Sequence, residues 1–99
     1  MDKNEVINKL IQYKLLLCNN FELEKVILFG SYANGTNVEN SDIDVAVIVK
    51  NVNSDYFKDT PLLWKLRRQI DDRIEPILFE KGRDESGFLS EIIRTGIEI

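Results

Sequence analysis

Histidine is absent from this 99-residue chain, and cysteine occurs once. Without an imidazole there is no Ser-His or Cys-His pair to activate a nucleophile, and the candidate metal ligands reduce to oxygen donors. Cys18 has no partner for an internal disulfide; it falls on the apolar phase of the first predicted helix and is expected to be a buried hydrophobe. No apolar stretch approaches the length of a membrane span, and the opening Met-Asp-Lys-Asn-Glu does not have the pattern of a signal peptide. A cytoplasmic protein without membrane contact is expected. Positive charge is also in short supply, with 13 Lys and Arg against 17 Asp and Glu and a net charge of −4. That balance argues against a chain that holds nucleic acid by bulk electrostatics, so no direct nucleic-acid binding is expected. Repeats, low-complexity tracts and linkers are missing too. The composition, 43% apolar and 30% charged, is that of one globular domain over residues 1–99 with a modest core.

Periodicity divides the chain into alternating helices and strands. Val6, Ile7, Leu10, Ile11, Leu17 and Cys18 recur at helical spacing from about Asp2 to Cys18, with Asp2 or Asn4 to start the helix and Asn19-Asn20 to end it. A strand is predicted from about Lys25 to Phe29 and another from Ile43 to Val49, the second apolar at nearly every position, as in a sheet interior covered on both faces. Lys50 to Asp59 reads as loop. Thr60-Pro61 then marks a helix start, with Leu62, Leu63, Leu66 and Ile70 as its buried stripe and Trp64 off it. A third strand, Arg73 to Phe79, carries Pro76 and is therefore expected at a sheet edge or a bulge. The last helix, about Glu85 to Arg94, turns Phe88, Leu89, Ile92 and Ile93 inward and stops at Gly96.

Chemistry concentrates between the first two strands. The first delivers the chain to Gly30-Ser31, ten residues follow, and the next strand opens with Asp42-Ile43-Asp44. Residues i and i+2 of a strand share a face, so Asp42 and Asp44 project together while Ile43 points into a core. Two neighbouring carboxylates repel unless a cation lies between them. Mg²⁺ is commonly held by one or two carboxylates plus substrate phosphates, which makes a nucleoside triphosphate the natural substrate class. Gly30 lets the backbone approach a ligand, and Ser31 offers a hydroxyl and an N–H at the start of a short helix that Asn34-Gly35 would end. Taken separately, Gly30-Ser31 is an ordinary turn, and Asp42-Ile43-Asp44 is a solvated strand start with Ser41 as its turn residue.

Together, Gly-Ser, ten residues and Asp-x-Asp resemble the nucleotidyltransferase superfamily of DNA polymerase beta-like enzymes. At this length the chain looks most like the minimal nucleotidyltransferase (MNT) group. The resemblance covers residues 26–49 and implies an α/β (α+β) fold with a small mixed sheet flanked by about four helices. It also implies a two-metal Mg²⁺ site in which a third acid on a neighbouring strand completes the set. Glu75 takes that role here, in Ile-Glu-Pro, where many relatives have aspartate; Asp71 and Asp72 are its competitors, read otherwise as a solvated turn. By the same resemblance Asp42, Asp44 and Glu75 would be the catalytic metal ligands, Gly30, Ser31 and Ser41 would contact the nucleotide, and ATP is the commonest donor. MNT proteins act beside HEPN-domain proteins as antitoxins that transfer AMP to a toxin tyrosine, so a HEPN partner, with homo- or hetero-oligomer formation, is implied. Trp64 is a candidate for partner contact or for partial burial under the Tyr56-Phe57 loop, and Tyr32 and Tyr56 are candidates for packing, nucleotide stacking or partner contact. Two other readings stand beside transfer to a protein: an antitoxin that only masks its partner, and transfer to a small molecule such as an aminoglycoside.

Overall fold

The computed structural model describes residues 2–51, 56–84 and 86–99, with the side chains of residues 56–58 outside that description. Four helices and four strands alternate: α1 (Lys3–Cys18), β1 (Leu23–Phe29), α2 (Ser31–Asn34), β2 (Ile43–Val49), α3 (Tyr56–Arg67), β3 (Ile74–Glu80), α4 (Phe88–Thr95) and β4 (Ile97–Glu98). The strands form one mixed sheet in the order β3-β2-β1-β4, with β2 parallel to β3 and β1 antiparallel to both β2 and β4. The expected small mixed sheet with four helices is therefore what the chain forms, and β3, with Pro76, is an edge strand as expected. Ile43 N–H donates to Arg73 C=O, so Arg73 and Glu75 turn their backbone groups toward β2 and the alternate residues Ile74 and Pro76 turn theirs to the open edge. Pro76 thus forfeits no ladder bond.

Alternation along the strands separates two apolar clusters. Val45, Val47 and Val49 of β2, with Val26 and Leu28 of β1 and Ile74 and Leu78 of β3, meet Val6, Leu10, Tyr13 and Leu17 of α1 and Leu63 and Leu66 of α3. On the other face, Ile27, Ala46 and Ile48 pack against Leu89 and Ile92 of α4. Only the first face is fully roofed.

Helix α1 starts on the Asp2 side chain, which accepts from Glu5 N–H at 2.8 Å, a cap worth about 1 kcal/mol. Its buried stripe is Val6, Leu10, Tyr13 and Leu17, which turns Ile11 and Cys18 outward. Cys18 is exposed, not the buried hydrophobe expected, because Tyr13 occupies the inward phase and Leu17 completes it. The Tyr13 hydroxyl donates to Leu63 C=O at 2.8 Å. Burial pushes that phenol well above its ordinary value, against a smaller opposing pull from Arg67.

Three other expectations change. Helix α3 begins at Tyr56, inside the stretch read as loop, and carries Pro61 within it and not at its first position; past the first four residues a proline forfeits one intrahelical hydrogen bond. Helix α4 begins at Phe88 instead of Glu85, since Asp84 accepts from Leu89 N–H at 3.0 Å and Ser90 N–H at 2.9 Å. Phe88 and Ile93 are 45% and 48% exposed, so only Leu89 and Ile92 of the expected stripe are inward. The helix does stop at Gly96, though in extended backbone and not by a left-handed cap. A methyl on Gly96 would lie 2.6 Å from both Ile92 O and Ile27 Cγ2 and 2.8 Å from Leu28 O; the glycine is there so that the chain can turn tightly onto β1.

Asp71 is not the solvated turn residue expected. Its carboxylate accepts from Lys9 Nζ at 2.7 Å and from Arg73 N–H at 2.8 Å, tying α1 to the start of β3. Partial burial works to raise its pKa, but the hydrogen bonds and charges of Lys9 and Arg73 outweigh it and hold the group below its ordinary 3.8. A lowered carboxylate stabilises the fold above its unfolded pKa and loses that contribution as pH falls through the folded value. Asp71→Asn should cost roughly 1–2 kcal/mol, discounted for the partly exposed Lys9. Thermal melts at pH 7 should show a fall of about 5 °C or more that shrinks below pH 4; equal melting at both pH values would remove this role.

Candidate active site

The parallel register of β2 and β3 sets Asp44 beside Glu75 and Ile43 beside Ile74. Asp42 and Asp44 share the parity of Ala46 and Ile48, so they lie on the α4 face of the sheet, beyond the part that α4 covers. Glu75, on the neighbouring strand, opens to the same side. Phe29, the last residue of β1, is the register partner of Asp44 on its other flank. Ile43 between the two aspartates is fully buried in the opposite core, as the alternation requires.

The three acids influence one another. Asp44 is raised above its ordinary value, first by burial and then by repulsion from Asp42. Glu75 is also raised, first by partial burial, then by the charges of Asp42 and Asp44 and a hydrogen bond with Asp42, with Arg67 pulling the other way. Among the described residues no three acids or thiols are gathered as a preassembled metal cage. These acids are neighbours on an open sheet face, a donor set that fits a hard cation completed by substrate phosphates better than one enclosed by protein.

Gly30 makes the arrangement possible. It precedes α2 at φ 76°, ψ −151°, a region that is essentially glycine's alone. A methyl at this position would lie 2.3 Å from Asp44 Oδ2. Ser31 follows as the first residue of α2, half-buried, and Gly35 closes that helix in the left-handed conformation. Ser41 sits in the turn before β2, its hydroxyl oxygen accepting from Val38 N–H at 2.8 Å. Tyr32 is 1% exposed and belongs to the main core, which leaves packing as its role and excludes nucleotide stacking and partner contact. Its hydroxyl is buried without a hydrogen-bond partner.

The sequence matches the family described as polymerase beta, nucleotidyltransferase over residues 8–99. The chain belongs to that family. This nucleotidyltransferase is 35% identical over 82 residues to the MJ0141 protein of Methanocaldococcus jannaschii, provisionally named a protein adenylyltransferase, a match covering 79% of this chain and 80% of that one. It is 40% identical over 63 residues to the protein adenylyltransferase MntA of Shewanella oneidensis, covering 64% of this chain and 40% of the relative. Among solved structures, a toxin-antitoxin crystallised with AMP-PNP is similar at 26% identity and TM-score 0.63, covering 99% of this chain and 72% of that one. A form of the toxin-antitoxin MntA-HpeT with a tyrosine-to-alanine substitution is similar at 27% identity and TM-score 0.63, over 93% and 69% of the two chains.

Two features near the acids escaped the sequence reading. Phe88 of α4 meets Phe29, the register neighbour of Asp44, and Phe79 edge-on, with ring centroids 5.9 and 6.1 Å away. Arg67, in the last turn of α3, is electrostatically coupled to Glu75. The signal for Arg67 was its place one turn past Leu63, where α3 must return the chain to β3. Trp64 is 36% exposed, with the Arg67 guanidinium stacked 4.4 Å from its ring centroid. The expected cover for Trp64 from Tyr56 and Phe57, and the assignment of Tyr56 itself, involve side chains outside the described residues. No described helix is long and apolar enough to cross a membrane.

Proposed function

We propose that this nucleotidyltransferase moves AMP from ATP to a hydroxyl of a partner protein, the tyrosine of a HEPN-type toxin, and so acts as an antitoxin. The observation that carries the reading is the β2–β3 register, with Asp42, Asp44 and Glu75 opening to one uncovered face beside Gly30. Support comes from the names of the relatives, protein adenylyltransferases, and from the similar toxin-antitoxin with AMP-PNP. A further similar structure is an MntA-HpeT mutant in which two aspartates two positions apart are both changed to glutamate. The spacing is that of Asp42 and Asp44.

In this mechanism Asp42 and Asp44, with Glu75, would hold Mg²⁺ as a two-metal set, which would neutralise the triphosphate and make the acceptor hydroxyl more acidic. Gly30, Ser31 and Ser41 seat the nucleotide phosphates. The acceptor oxygen attacks the α-phosphorus, the new O–P bond forms as the bond to the β-phosphate bridge breaks, and pyrophosphate leaves. Glu75, on the neighbouring strand, takes the acceptor proton. Residues 1–99 act as one catalytic domain in the cytoplasm, where the exposed Cys18 thiol stays reduced.

Incubation with ATP labelled at the α-phosphate, Mg²⁺ and a HEPN protein encoded beside this chain should label the HEPN tyrosine and leave this chain largely unlabelled. The masking reading draws on the exposed Trp64, a residue type that anchors interfaces. It predicts an unmodified partner, inhibited equally well by Asp42→Asn.

A further inference from the structure

We propose that Arg67 is the positioning residue for Glu75: its guanidinium grips the open edge of β3 where that strand enters the acidic face. The inference rests on the transfer role given to Glu75 above.

Arg67 Nη1 donates to Ile74 C=O at 3.0 Å and also to Asp72 C=O. Ile74 is the residue whose carbonyl turns away from β2, as the Ile43–Arg73 hydrogen bond fixes by alternation. An edge strand has no neighbour to hold that side, so the peptide carrying Glu75 is secured from β2 on one side and from Arg67 on the other. Pro76 immediately beyond has no N–H for an outer partner. Arg67 is therefore the restraint on the outer side of Glu75, between the end of α3 and the proline.

A simpler role, closing the α3–β3 turn, would be met by any donor. The environment asks for more. Arg67 Nε is buried without a hydrogen-bond partner, an arrangement that costs desolvation free energy. The planar group lies over Trp64 at 4.4 Å, a stacked placement that an ammonium on a flexible stem does not reproduce.

Arg67→Met should lower kcat for labelled AMP transfer tenfold or more while KM for ATP stays within about twofold, because the nucleotide seat at Gly30 and Ser31 is untouched. Arg67→Lys, which keeps charge and most of the volume, should fold normally and recover only part of the rate. The losses should not multiply with those of Glu75→Gln: adding Arg67→Met to that variant should change kcat less than twofold. Unchanged turnover, a rise in ATP KM at constant kcat, full rescue by lysine, or multiplicative losses would each overturn the proposal. A readout independent of turnover is amide hydrogen exchange across Arg73–Ile77, which should quicken in Arg67→Met. If Glu75→Gln transfers AMP normally, the functional reading of Glu75 fails. Unchanged exchange in Arg67→Met rejects the positioning role by itself.

Discussion

Replacing Asp42 and Asp44 together by asparagine should abolish AMP transfer, a loss of about a thousandfold or more, and remove the rise in melting temperature that ATP with Mg²⁺ gives the unaltered protein. Asparagine preserves size and the strand, so the fold should survive. The apo protein should even gain stability near neutral pH. Asp44 is raised above its ordinary 3.8 by burial and then by Asp42, and a carboxyl raised on folding contributes stability below its unfolded pKa that is lost as pH rises through the folded value. The double variant escapes that loss, so its advantage over the unaltered protein should be full at pH 7 and fade as pH falls toward 4. Melting curves at the two pH values, with and without ATP and Mg²⁺, check every part. Undiminished stabilisation by ATP and Mg²⁺ in the double variant would put the nucleotide elsewhere.

The elements that could be read from the sequence were those whose burial pattern is set locally. β2 is legible at about Ile43–Val49 because nearly every position is apolar, and the end of α2 because Asn34-Gly35 stops it. The Asp-x-Asp spacing placed both acids on one face, and the register of β3 then brought Glu75 to the same side. What the sequence hid came from tertiary partners. Asp71 looks like a turn residue until Lys9, 62 residues earlier, reaches it. Cys18 reads as core until Tyr13 takes the inward phase of α1 and finds Leu63 C=O. β4 is two residues long and exists only because Gly96 lets the chain turn tightly onto β1. The contribution of Arg67 depends on which carbonyls face an open sheet edge, so its helical phase one turn past Leu63 marks its place and not its role.

Gly30→Ala tests the site most sharply, because Gly35, a few residues away, offers a control for backbone strain alone. Both glycines have φ 76°, but Gly35 (ψ 16°) is left-handed helical, where alanine costs roughly 1–2 kcal/mol, whereas Gly30 (ψ −151°) lies where other residues are all but excluded, so Gly30→Ala should destabilise the fold more. Their surroundings differ. A methyl on Gly35 meets nothing within 4 Å, whereas one on Gly30 would stand 2.3 Å from Asp44 Oδ2 and 3.1 Å from its Cγ. The Asp44 side chain can yield only by rotating away from its place beside Asp42 and Glu75. Misplacing a reacting group by about 1 Å can cost a hundredfold in rate. Gly30→Ala should therefore lose AMP transfer by about a hundredfold or more, measured well below its melting temperature, while Gly35→Ala, strained but with room for its methyl, keeps transfer within a few fold. Stabilisation by ATP with Mg²⁺ should follow the same division. If both variants melt lower and both still transfer AMP, the approach of Gly30 to Asp44 is a packing detail and Asp44 does not need its present position.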